Sequence, residues 1–458
     1  MLDQDLTDPE GSTHGGTEVQ PDCVKISKRR VHGMFGLVAA AVAGTAAWVP
    51  AHGPHLVNGR AVSAPRFFIA PPSVNRSLAK SLGPFAFANS QGLWMTTAGG
   101  ELVYVSANTH ALNPSWSANG LYLAYETSGP NGADAKLNVY SVRLATTIYH
   151  QLSVYGMAWQ PGHNVMAVWG TRSAVLSFSN AGAKTLGTLP VPHGSIIWTS
   201  TGQRFIYSRT LGAGAKRYDQ VYAVSVSGSR LGKPQALFRS AKGSGLLPAA
   251  SFSNSHNLLY WPDPQFSASL LADGTTLQLW HADSGTTSKY LPMLPYPDYL
   301  AFGPKNRWAY MAGGPRAISG GKSVVLVQNG RAESLAVPTS VEALEPAMNA
   351  KTGALLAVLA QNNPNAAWGL GKPYRTWVQT RRLAIWERGI WTIWPSAGRG
   401  VTDPVWLPNG RGILYLANNR LWVVRGAHTP PQMVIGPIPS AGGYYGEILR
   451  SSLWSLHP

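Results

Sequence analysis

The chain has 458 residues, 45% hydrophobic and only 12% charged, enough apolar material for a large core. Its 37 Lys and Arg against 20 Asp and Glu give a formal charge of +17. The single cysteine, Cys23, excludes an intramolecular disulfide framework and any multi-cysteine metal site.

Residues 1–24 are polar, carry acids with Gly, Ser and Thr, and show no apolar periodicity, which reads as a disordered segment. Lys25, Lys28, Arg29 and Arg30 then precede the apolar run 34–49, MFGLVAAAVAGTAAWV. A basic flank before such a run makes residues 25–50 an apolar helix serving as signal peptide or single membrane anchor. The run is close to the shortest that spans a bilayer, so an uncleaved anchor with its N-terminus inside is one form. Small residues around Ala46-Ala47 and Pro50-Ala51 suit a signal-peptidase cut, and Arg29-Arg30 before a Gly/Ala-rich core resembles a twin-arginine signal. Every form places the remainder outside the cytoplasm. Residues 51–82, with Pro54, Pro65, Pro71 and Pro72, read as a linker or a segment lying along the following domain.

From residue 83 to 458 the chain repeats. Strands are expected at 84–88, 92–97 and 101–106, the last two joined by a Gly99-Gly100 turn. The stretch NPSWSANGLYLAY at 113–125 then sets a pattern: a short strand ending in an aromatic, a polar turn, and an alternating strand. It returns as GMAWQPGHNVMAVW from Gly156, SIIWTSTGQRFIYS from Ser195 and DPVWLPNGRGILYL from Asp403, with weaker copies from Ala249, Tyr299 and Glu345. The recurring aromatic or Met marks Trp116, Trp159, Trp198, Phe252, Phe302, Met348, Trp406 and Trp454, spaced 39 to 58 residues apart. Repeats of that length, built from four short strands, predict an all-β propeller. The first three strands lack the aromatic-ended strand that opens every other repeat, and the C-terminal SSLWSLHP supplies one with nothing after it. The termini therefore share a blade, which gives eight blades, with seven as the alternative; sharing removes two exposed edges.

The 113–125 and 403–416 copies resemble the TolB-type propeller repeat, which opens P-x-W-S-P-D-G before a strand ending near Ala-Tyr; Asn119, His163, Gly202 and Asn409 stand at or near its turn Asp. That resemblance implies a scaffold, often extracytoplasmic, that binds proteins, peptides or glycans.

Catalytic motifs are missing: there is no G-x-S-x-G elbow, H-E-x-x-H, P-loop or EF-hand loop. No cofactor is expected. Acids such as Asp263, Asp273, Asp283, Asp298, Glu342 and Glu345 are expected in turns or at blade edges, and the histidines as solvated loop residues. The insertion 361–380, QNNPNAAWGLGKPYRTWVQT, combines aromatics with arginines, the composition of binding hot spots. Its Trp368, Tyr374, Arg375 and Trp377, with Arg381 and Arg382 after it, are the candidate partner-binding residues; the competing reading has the tryptophans capping the blade rim. Another insertion, 262–272, is equally open to both readings.

Export argues against nucleic acid as the origin of the charge. Two origins remain: attraction to an anionic envelope polymer or headgroup, and scarcity of carboxylates in a protein facing acid, of which the second is preferred. The expected function is an extracytoplasmic, non-catalytic scaffold binding a protein, a peptide or an anionic envelope polymer, with the membrane as a further partner through 34–49 if that run is kept. The alternatives are an enzyme with a central-channel site, of propeller lyase or glycan hydrolase type, and a ligand- or metal-binding sensor.

Overall fold

A computed structural model describes residues 71–128, 135–190, 193–240, 245–252, 257–263, 270–313, 317–366, 371–438 and 449–457. The disordered segment and the targeting run, expected within 1–50, lie outside the described residues, as does Trp368. No helix among the described residues is long and apolar enough to cross a membrane.

The strands form eight antiparallel sheets, each the blade of one propeller. Blade 2 shows the plan. Its inner strand Ala111–Trp116 pairs with Tyr122–Thr127, then come Lys136–Ser141 and the outer strand Thr146–Leu152. Alternation sends one set of side chains toward each neighbouring blade, so Leu123 and Tyr125 pack toward Phe85's blade while Tyr122 and Ala124 pack toward Met166 and Val168. Apolar layers of this kind fill the seams between blades. In several blades the turn after the inner strand places a glycine against the preceding blade. Gly202 has φ +72°, and a Cβ there would stand 2.5 Å from the carbonyl oxygen of Pro161; Gly410 has φ +72° and would meet Asn349 at 2.9 Å.

Three of the inner-strand tryptophans are stitches. The indole of Trp159 donates to the Ser115 carbonyl at 3.0 Å, Trp198 to Ala158 at 2.9 Å, and Trp116 to Ser455 at 3.2 Å. In each case the acceptor precedes the marker residue of the blade before. By that rule the marker of the shared blade is Leu456, not Trp454, two residues along from the position the aromatic suggested.

Ring closure follows the expected plan. Strand Trp454–Leu456 pairs antiparallel with Phe85–Phe87, and Gly92–Thr96 and Leu102–Ser106 complete blade 1. A second clasp was not legible beforehand. Within 51–82, Ser73–Val74 adds a fifth strand to the outside of blade 8 by pairing with Gly436 and Ile435. Asn75 then caps the helix Arg76–Leu82 by accepting from the Leu78 amide at 3.2 Å. Leu78 and Ala79 pack into the seam with Leu416, Val434, Leu453 and Trp454. The chain thus crosses the blade 8–blade 1 junction at the rim and at the centre.

Candidate functional site

The 361–380 insertion contains a helix, Lys372–Val378, with Pro373 in its first turn. Tyr374 and Trp377 are buried, and the Trp377 indole donates to the Gln361 carbonyl at 2.8 Å. They seat the helix on blade 7, as in the rim-capping reading. Arg381 is wholly buried, with Trp377 5.3 Å beneath its guanidinium. Its Nε donates to the Val401 carbonyl at 2.9 Å and its Nη2 pairs with Glu345. Of the described candidates, Arg375 is exposed and Arg382 half-buried, so these two can meet solvent.

Arg382 stands at a groove. This concavity, about 780 Å³, runs along the blade 6–blade 7 seam. One wall is the chain at 336–341, which leaves the exposed outer strand of blade 6, Arg331–Ser334; the other holds Leu359, Ile390, Trp391 and Ile393 of blade 7. Ile390 and Ile393 are 64% and 46% exposed on the outer strand Ile390–Ile393, an unusual exposure for isoleucine. The Trp391 indole nitrogen is buried without a hydrogen-bond partner. Loss of solvent and the nearby Arg399 both push the Arg382 guanidinium down, so this end of the groove favours an anion. The place therefore offers an apolar trough, one orphan donor and the Arg382 guanidinium, whose Nη1 donates to the Gly398 carbonyl at 2.8 Å.

A polar network runs inward from Arg381. Expected in turns or at blade edges, Glu342 and Glu345 are instead buried in the inner strand of blade 7, Val341–Met348. Glu345 and Asp403 sit at equivalent bulges, three residues before Met348 and Trp406, with φ +48° and +49°; Asn113 repeats the arrangement in blade 2 with φ +54°. Glu345 Oε2 accepts from the Asp403 amide at 2.8 Å. The readable signal was a polar residue before proline at that offset: Asn113-Pro114, Glu345-Pro346 and Asp403-Pro404. Lys322 and Glu342 are also buried together, the Lys322 amide donating to Glu342 Oε2 at 3.4 Å. Among the described residues no group of three or more His, Cys, Asp and Glu is placed to hold a metal ion.

Burial pushes three carboxyl groups, Glu342, Glu126 and Asp403, up. Loss of solvent pushes Glu342 up to about 8, and Glu126, which accepts from Asn113 Nδ2 at 3.1 Å, up to about 7. Asp403 is raised well above the ordinary carboxylate value by burial and then by Glu345 and Asp298. Burial also lowers Lys322 to about 8. The sign is fixed by which state holds more protons. Between the unfolded carboxyl value and about 8 the folded chain retains protons that the unfolded chain releases, so stability falls as pH rises through this window. Lys322 acts higher, its penalty relieved only as pH climbs from about 8 toward the free lysine value. Acidification from pH 8 to 5 is expected to raise the melting temperature by roughly 5 °C, as several such shifts sum to a few kcal/mol. Melting scans across pH check this; a midpoint that drops steadily from pH 8 to 5 contradicts it.

No known protein family matches the chain, and no curated protein matches it. Among solved structures it is similar to dipeptidyl peptidase 4 of Porphyromonas gingivalis, with TM-score 0.52 and 11% identity over 80% of this chain and 59% of that one. It is also similar to the Pyrococcus horikoshii acylaminoacyl peptidase, with TM-score 0.39 and 10% identity over 68% and 50% of the two chains. TolB from Acinetobacter baumannii matches with TM-score 0.31 and 10% identity over 81% and 63%. The chain spans between half and three fifths of the length of these two peptidases. At such identities the likeness is one of fold alone: a β-propeller, with the repeat resembling the TolB type.

Proposed function

We propose that this propeller is an extracytoplasmic binding scaffold that takes an extended, acidic-apolar peptide segment of a partner protein into the blade 6–blade 7 groove. The groove itself carries the reading. Its trough suits alternate apolar side chains, the orphan Trp391 indole suits a peptide carbonyl, and Arg382, under the positive influence of Arg399 outside the lining, suits a carboxylate. Exposed isoleucines on an outer strand are also the usual cost of keeping such a surface available. The chemistry differs from that of a nonspecific hold on an anionic polymer, which needs dispersed charge and no trough.

A random peptide library displayed on phage and selected on the protein tests it. Enriched sequences are expected to alternate apolar residues and carry an acid near one end. Ile390→Asp with Ile393→Asp should weaken a selected peptide by about a hundredfold, the loss of roughly 3 kcal/mol of apolar burial, without moving the melting point. Selected peptides that bind the double variant as well as the parent would sink the reading. Binding abolished by moderate salt and indifferent to the isoleucines would favour the anionic polymer instead.

The location rests on the basic-flanked run 34–49. A reporter active only outside the cytoplasm, fused after Leu82, should give signal, and Lys28, Arg29 and Arg30 changed to Glu should remove or invert it. A silent parent fusion would contradict the proposed location and leave the groove reading intact.

A further inference from the structure

The ring also has a concavity at its centre, separate from the groove. A cleft of about 300 Å³ lies between the inner strands of blades 6, 7 and 8 and the C-terminal Arg450. Three carboxylates line it, Asp298, Glu345 and Asp403. Two of them are engaged. Glu345 takes Arg381 on one oxygen and the Asp403 amide on the other. Asp298 Oδ2 accepts from the backbone and hydroxyl of Ser451 at 3.0 and 2.8 Å, with Arg450 3.6 Å from Oδ1.

Asp403 differs. It lines the cleft, is 6% exposed, and its Oδ2 has no hydrogen-bond partner. A buried, unpaired carboxylate is costly, and here the cost is met by a proton, held by burial and by the negative Glu345 and Asp298. A place that retains a proton for those reasons will accept another cation that fits. The remaining wall supplies the fit: Phe302 is 40% exposed and Trp406 half-buried, and aromatic faces beside a carboxylate attract organic cations. Arg381 is committed through Nε and Nη2 to the Val401 carbonyl and Glu345, Arg450 sits on Asp298 and Lys351 stands elsewhere in the lining; the buried Arg381 Nη1 is itself without a partner, and none of the three cations bonds the free oxygen.

We propose that the channel cleft binds small organic ammonium compounds, with the charged nitrogen on the free oxygen of Asp403 and the hydrocarbon body against Phe302 and Trp406. Binding ionises Asp403. The carboxyl proton leaves to solvent, and the ammonium keeps all of its own protons, so up to one proton is released per ligand bound. The cleft and the groove share no side chain, so this inference stands or falls apart from the peptide reading.

The test is calorimetry on the full-length protein at mildly acidic pH, in two buffers of different ionisation heat. The probes are 2-phenylethylamine, 2-phenylethanol and phenylacetate. The amine is expected to bind with proton release, and the alcohol and the acid at least tenfold more weakly. Asp403→Asn should weaken the amine at least tenfold and abolish the buffer dependence. Phe302→Ala, at a site already open to solvent, should weaken it severalfold without altering the fold, which keeps the proposal testable if Asp403→Asn does not fold. No binding of the amine at millimolar concentration overturns the proposal. So does an Asp403→Asn protein that binds it unchanged, an equal affinity for phenylacetate, or a Phe302→Ala protein of undiminished affinity.

Discussion

Removing the residues after Leu453 should lower the melting temperature by roughly 10 °C or more and broaden the transition. The strand Trp454–Leu456 is the inner strand of blade 1, and its loss bares the edge of Phe85–Asn89 at the centre of the ring. It also deletes Trp454, 1% exposed, and loss of such a tryptophan alone costs about 3–5 kcal/mol. The stitch from the Trp116 indole to the Ser455 carbonyl goes with it, leaving a buried donor unmet. The outer clasp is a built-in comparison: Ser73–Val74 makes a two-residue pairing at the rim, so its removal should cost far less. A protein truncated after Leu453 that melts with the parent would contradict the shared blade.

Arg381→Met should cost about 3–5 kcal/mol, because it strands Glu345 inside the inner wall without its guanidinium. Arg381→Lys should recover little of this. An ammonium cannot reach both the Val401 carbonyl and Glu345 in the geometry that the planar guanidinium spans. Adding Glu345→Gln to Arg381→Met should restore part of the loss, since a neutral amide is cheaper to bury than an orphan carboxylate and can still accept from the Asp403 amide. Urea midpoints of the single and double variants read these differences. Equal stability of Arg381→Met and the parent would contradict the dependence of buried Glu345 on this guanidinium.

What could be read from the sequence was whatever local physics dictates repeatedly. A strand-ending aromatic, a turn needing positive φ and an alternating strand must recur in each blade, so the propeller and its shared blade were legible. In the shared blade the aromatic, Trp454, stands two residues before Leu456, the position that follows the Ser455 acceptor and carries no indole. The Ser73–Val74 clasp is too short to carry a period. The groove and the channel cleft were hidden for another reason. Their residues come from segments tens of residues apart, and burial, which separates Arg382 from Arg381 and makes core of Tyr374 and Trp377, is set by tertiary packing. Composition alone marks aromatics with arginines as a hot spot wherever they fall.

The proposed peptide site lies in the side seam between blades 6 and 7. Hydrogen–deuterium exchange, with and without a library-selected peptide, tests it most directly. Slowed exchange is expected at the amides of Ile390–Ile393 and of 336–341, with the inner-strand turns at 349–353 and 407–411 unchanged. Protection confined to those turns, or to none of these segments, would contradict it.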